Sequence, residues 1–211
     1  MPEPLFSLIT PCGVAANLGN LPRIQDSIRF EWVWVWVIVL GGIGPAETAP
    51  NEKIKVVTTS RDTSAGHRLR NLGLQHVPKR NSSNYVYFID DDNIVHPSLW
   101  EYLPLYIRSH PHQVYTFAAC RHGEHFPGRC EVNRIDTGQF VVERNISSSW
   151  HLDYNADGRY IAAKCAKHTH YTIDRQLAYY NFLKRRPKES QAKACLKKLS
   201  TLSQPAQDQA V

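Results

Sequence analysis

Asn84-Tyr85-Val86-Tyr87-Phe88-Ile89-Asp90-Asp91-Asp92-Asn93 decides how the chain is to be read. Its apolar and aromatic residues, 85–89, run without alternation, the pattern of a strand covered on both faces inside a parallel sheet. Three carboxylates follow at once. Like charges so close repel unless a cation or strong donors sit among them, so the triplet implies a divalent metal or donors nearby. In open α/β sheets ligands bind beyond the carboxyl ends of the strands, where Asp90, Asp91 and Asp92 fall. Pro97 then suits a first helical turn, and Leu99, Tyr102, Leu103, Tyr106 and Ile107 recur as the apolar face of a helix. The motif reads strand, acidic turn, helix.

Upstream, residues 5–10 predict a first strand ended by Pro11 and the turn residues Gly13, Asn17 and Gly19. A helix is expected over 21–30, a second buried strand over 32–40, a third, short strand over 54–58, and a polar loop feeding a helix that carries Leu69 and Leu72 inward. The amide groups and arginines of that helix start suit an anion, and equally an ordinary solvated surface. Downstream come a strand over 114–119, an apolar element over 135–142, a polar loop with Asp153 and Asp157, a helix over 159–167, and a strand over 170–173. The alternation predicts one α/β domain with a mostly parallel central sheet flanked by helices.

The 211 residues suit one large domain. The expected division is a domain over 1–183, with a nucleotide-binding half (1–95) and an acceptor-side half (96–183), followed by a basic helix or linker over 184–211. The net charge of +6 arises between Lys184 and Lys198; without that stretch, acids and bases balance, and no nucleic-acid partner is expected. Five cysteines without C-x-x-C spacing argue against a disulfide framework or zinc site and for a reducing, cytoplasmic location. The apolar run over 32–40 is too short to span a bilayer, so no transmembrane segment is expected. The tail is what a longer, multidomain chain would carry at a junction.

Together these residues resemble a GT-A-fold glycosyltransferase that uses a nucleotide sugar. The resemblance covers residues from Leu5 to about Tyr180 and is sharpest at Asp90-Asp91-Asp92-Asn93, similar to the form of the DxD motif in β1,3-glucuronyltransferases and, more generally, in family-2 enzymes. Thr10-Pro11 matches the end of that family's first strand, against which the nucleoside rests. Arg70-Asn71 matches the pair opening the helix before the acidic strand. Asp136-Thr137-Gly138-Gln139-Phe140 resembles the acceptor-side strand. The length also resembles that of a large-virus glycosyltransferase domain.

The resemblance implies a UDP-sugar donor, a glycan or glycoprotein acceptor, and Mn²⁺ (or Mg²⁺). A nucleoside diphosphate leaves well only when its growing charge is neutralised, and one or two carboxylates suffice to hold an ion that also binds phosphates. By carry-over Asp92 binds metal, Asp90 and Asp91 meet ribose or sugar hydroxyls, with Asp90 also a candidate metal ligand, and Arg70 faces the nucleotide or donor sugar. Thr10, Pro11, Asp136 and Gln139 complete the expected nucleotide and sugar contacts. An inverting transfer needs a carboxylate to take the acceptor's proton; Asp157 fits best and Asp153 second, though either also suits a helix N-cap. His168 and His170 are candidate metal ligands, and Trp150 with Tyr154 a candidate sugar platform, core packing being the other reading. At Leu40-Gly41-Gly42, relatives carry an acid that reads uracil, so base selection must come from elsewhere. A nucleotidyltransferase, or a non-catalytic nucleotide-sugar module, is the competing reading.

Overall fold

The computed structural model describes residues 3–60, 66–79, 84–121, 123–150 and 156–183. Asp153, Tyr154 and the expected basic helix or linker lie outside the described residues.

The sheet is built from β1 (Phe6–Cys12), β2 (Val33–Gly41), β3 (Ile54–Thr59), β4 (Tyr85–Phe88), β5 (Val114–Arg121), β6 (Glu124–Phe126), β7 (Phe140–Glu143) and β8 (His170–Tyr179). Their order is β3-β2-β1-β4-β7-β5-β6, with β8 also on β5. Strands β3, β2, β1 and β4 are mutually parallel; β7 runs antiparallel between β4 and β5, and β8 parallels β5. The helices are α1 (Leu21–Asp26), α2 (His67–His76), α3 (Pro97–Ser109) and α4 (Ala156–Cys165).

The unbroken apolar runs follow from cover on both faces. Phe6, Leu8, Trp36, Tyr85 and Tyr87 pack with Leu99, Trp100 and Leu103 of α3 on one side. Ile9, Val37, Val39, Val86 and Phe88 pack with Leu69 and Leu74 of α2 and Tyr160 and Ile161 of α4 on the other. On the α2 side Gly73 is required by close approach: a Cβ there would lie 2.5 Å from Ile9 Cγ2.

Four local readings are corrected. Strand β1 does not stop at Pro11 but continues to Cys12, with Pro11 opposite Val39. The carbonyls of Leu5 and Ile9 bond toward β4, so by the alternation of a parallel ladder Pro11 also faces that side. There β4 has already left the ladder, and the missing N–H costs no bond. Helix α1 ends early because Ser27 is claimed by α3 and the segment before it: its carbonyl accepts from Trp100 Nε1 of α3 (2.9 Å) and its Oγ from the Val95 amide (3.0 Å). Strand β8 is far longer than residues 170–173, since register shifts opposite Phe117 and Ala118 absorb extra residues and hide its alternation. Finally, Cys130 and Cys165 form a disulfide, against the expected free thiols, with Cα atoms 6.3 Å apart. Helix α4 lies tightly on the loop holding Cys130: a Cβ on Gly158, two turns before Cys165, would meet Val132 Cα at 2.8 Å. The pairing removes the cysteine argument for a cytoplasmic location. Among the described residues no helix is long and apolar enough to cross a membrane.

Candidate functional site

The last ladder bond of β4 runs from the Ile89 amide to the Ile9 carbonyl (2.9 Å), and the chain then leaves the sheet as the acidic turn. Three separate elements hold that turn. The 3₁₀ segment Ala15–Asn20, after β1, sends Asn17 Nδ2 to Asp91 Oδ1 and Asn20 Nδ2 to the Asp91 carbonyl, both at 2.9 Å. The segment after β8 closes from the other side: the Leu183 amide donates to the Asp92 carbonyl (2.7 Å) and the Phe182 amide to Asn93 Oδ1 (2.9 Å). Helix α2 supplies the third hold, an ion pair between Arg70 Nη2 and Asp90 Oδ1.

Arg70 is the centre of the site. It is buried, its guanidinium carbon 5.0 Å from the ring centre of Trp150. Its Nη1 lies 3.2 Å from His67 Nδ1 and its Nη2 donates to Thr137 Oγ1 at 3.4 Å. A guanidinium only donates, so this contact is a hydrogen bond in the tautomer whose Nδ1 accepts. Trp150 is clamped by Asn71, whose side chain bonds both its amide (2.6 Å) and its carbonyl (3.1 Å). Trp150 is itself stacked between His67 and Tyr160.

Three carboxylates converge on this cation. Burial alone would lower the Arg70 pKa, but Asp90, Asp157 and Asp136 raise it above its ordinary value. Burial, then the charges of Asp90 and Asp157, push Asp136 up to about 7. Asp157, in the first turn of α4, is raised chiefly by burial, with Arg70 opposing and Asp90 adding. A carboxylate raised toward neutrality beside a fixed cation is suited to taking and releasing a proton.

The fate of the other expected site residues varies. Thr10 is buried, its Oγ1 accepting from Trp36 Nε1 (2.9 Å), so its hydroxyl fixes the strand end. Gly66, in the left-handed region at φ 86°, lies over Pro11, so α2 begins directly above that strand end. Gln139 is tied up in structure: its Oε1 accepts from the Asp136 amide (2.9 Å) and its Nε2 donates to the carbonyls of Phe126 (3.0 Å) and Phe117 (3.3 Å). It therefore orients Asp136 and has no group left for a ligand. His168 follows α4 and His170 opens β8 opposite Val114, at the other end of the sheet from the triplet. Strand rise and spacing put His170 roughly 20 Å from Asp90, beyond reach of a shared ion. The late residues that do reach the turn are those after Tyr179. Trp150 is buried and serves Arg70, not a solvent-facing sugar platform. Asn17, Asn20, His67 and Thr137 were not legible as site residues; Asn17 carried only a turn signal.

Among the described residues, no group of three or more His, Cys, Asp or Glu is gathered around a common point as a metal cage. The donor set nevertheless fits a hard divalent ion shared with phosphates, which needs only one or two carboxylates. Asp91 and Asp92 supply such oxygens, whereas Asp90 is committed to Arg70.

No protein-family model matches the chain, and no curated protein matches it. Solved structures do. A mannosyltransferase from Pyrobaculum calidifontis, in complex with GDP-Man and Mn²⁺, aligns over 96% of this chain and 63% of its own, with a TM-score of 0.63 and 12% identity. The fold is GT-A. The same GT-A arrangement aligns with S. aureus TarS 1-349 in complex with UDP, over 92% of this chain and 70% of that one, with a TM-score of 0.63 and 11% identity. Against a longer TarS structure the present GT-A chain spans only 36% of the length. At these identities the likeness establishes the fold, and the chemistry rests on the residues.

Proposed function

We propose that this chain is a metal-dependent glycosyltransferase that moves a sugar from a UDP-sugar to a hydroxyl of a glycan acceptor with inversion. The observation that carries the reading is the convergence of Arg70, Asp90, Asp136 and Asp157 at the carboxyl end of the central strands. The acceptor hydroxyl attacks the anomeric carbon from the face opposite the diphosphate. Its proton passes to the Asp157 carboxylate, and the bond from the anomeric carbon to the diphosphate oxygen breaks, releasing the nucleoside diphosphate. Arg70 holds Asp90 toward the ribose or donor sugar, and Asp136, oriented by Gln139, faces the same space. Asp92, with Asp91, would hold Mn²⁺ or Mg²⁺, which supplies charge neutralisation for the departing diphosphate.

Uridine is the proposed base because TarS has been captured with UDP and UDP-GlcNAc. GDP-Man in the mannosyltransferase makes guanosine the comparison to run. A non-catalytic module would be favoured by an Asp157 remote from the triplet, but Asp157 shares the field of Arg70 and Asp90.

Calorimetry with UDP and GDP, with Mn²⁺ and with chelator, tests donor binding; UDP-sugar hydrolysis tests turnover. The expected outcome is Mn²⁺-dependent UDP binding lost in Asp92→Asn. Asp157→Asn should keep UDP affinity within about twofold while hydrolysis falls about 10²-fold or more, the contribution of a positioned proton acceptor. Equal affinity in chelator, or full turnover in Asp157→Asn, refutes the assignment.

A further inference from the structure

A second cationic site lies at the far end of α4. Ser148, Ser149, Tyr160, Ala163, Lys164, Lys167 and His168 line a hollow of about 210 Å³. Lys164 is buried, and its ammonium donates to the Ile146 carbonyl (2.6 Å) and to Ser148 Oγ (2.7 Å), both neutral acceptors. Among the described residues neither Lys164 nor Lys167 forms a salt bridge, and none of the described lining residues is acidic. Buried charges in proteins are ordinarily paired, whereas this ammonium has only two neutral acceptors and the Tyr160 ring, 5.4 Å away, to offset its lost hydration. Burial, then the like charge of Lys167, lowers the Lys164 pKa, and the attraction of an anion in the hollow would oppose both effects.

The bland explanation is that these cations merely answer the negative end of the helix. The last turn is already served otherwise: the Lys164 carbonyl accepts from the amides of Lys167 (3.1 Å) and His168 (3.0 Å), and the Ala162 carbonyl from Ala166 (3.0 Å). The Lys164 side chain turns away from the helix end to Ile146 and Ser148, carried by the chain after β7. Ammonium, imidazole and two serine hydroxyls around one hollow form a donor set for a tetrahedral oxyanion, whose oxygens accept from several directions. The hollow equals several waters of about 30 Å³ each, enough for a phosphate group with part of its hydration.

We propose that this hollow is an oxyanion site that takes a phosphate-type group, separate from the Arg70 centre. Asp157 and Lys164 are two turns apart on one face of α4, about 10 Å along the axis. A phosphorylated acceptor could therefore be anchored at Lys164 while presenting a hydroxyl near Asp157. That extension rests on the transferase reading, whereas the oxyanion site does not.

The test is titration of the full chain with inorganic phosphate, following amide NMR signals of Ser148, Ser149, Lys164 and His168. Saturable shifts are expected at these residues, unchanged in Arg70→Met and weakened about tenfold or more in Lys167→Gln/His168→Gln, of which Lys167 is exposed and His168 half-buried. Lys164→Met, checked for folding by circular dichroism, should abolish them. Glucose 6-phosphate binding more tightly than phosphate, with glucose inert, assigns the group to an ester; phosphate binding as well as the ester assigns it to the free ion. Absence of shifts at these residues, or their persistence in the double variant, overturns the proposal. Phosphate binding here without UDP binding would sink the transferase reading and leave the oxyanion site standing.

Discussion

Replacing Asp136 by asparagine is expected to stabilise the fold at neutral pH while weakening the site. In the folded chain the Asp136 carboxyl is raised from 3.8 to about 7, by burial first and then by Asp90 and Asp157. A carboxyl whose folded pKa is raised binds more protons folded than unfolded between those two values. Its contribution to stability is therefore most favourable below the unfolded pKa and is lost as pH rises through about 7. The gap corresponds to on the order of 4 kcal/mol at pH 8. Solvent screening of a half-buried side chain leaves about 2 kcal/mol of that, or a Tm difference of roughly 4–8 °C for a chain of this size. Asparagine is free of this penalty and keeps a side-chain oxygen to accept from the Thr137 amide, the main-chain group that holds the Asp136 carboxyl. Urea unfolding of both proteins at pH 4 and pH 8 gives the answer. The variant should gain stability at pH 8 and none at pH 4, with slower UDP-sugar turnover. A variant that is less stable at pH 8, or shifted equally at both pH values, would show that Asp136 is not strained by burial among acids.

Two further outcomes concern the frame around the site. Gly73→Ala should destabilise by roughly 1–3 kcal/mol in urea, because its Cβ would overlap Ile9 Cγ2; a gain in stability, as helix propensity alone predicts, would contradict the close approach of α2 to β1. Peptide mapping without reductant should recover Cys130 linked to Cys165, and Cys130→Ala/Cys165→Ala should lose roughly 3–4 kcal/mol, the closure entropy of a 35-residue separation. Two free thiols at those positions in carefully oxidised protein would refute the pairing.

The chain's own pattern determined the central strands, α3 and the acidic turn. Residues such as Val37, Val86 and Phe88 lie between two covered faces, and a doubly buried strand must be apolar at every position. The order of strands along the chain and Pro97 at the start of α3 are local signals of the same kind. Tertiary structure alone decided which carboxylates and histidines matter. His168 and His170 are close in sequence to elements that reach the turn, yet lie at the wrong end of the sheet because β8 runs parallel to β5. Gln139 has the composition of a ligand contact and is spent on main-chain groups. Arg70 meets Asp90 across 20 positions and Thr137 across 67, and no periodicity reports such a meeting. Periodicity records whether a side chain faces core or solvent; the charges that share a field, and the cysteines that pair, are set by long-range packing that leaves no repeating trace in the chain.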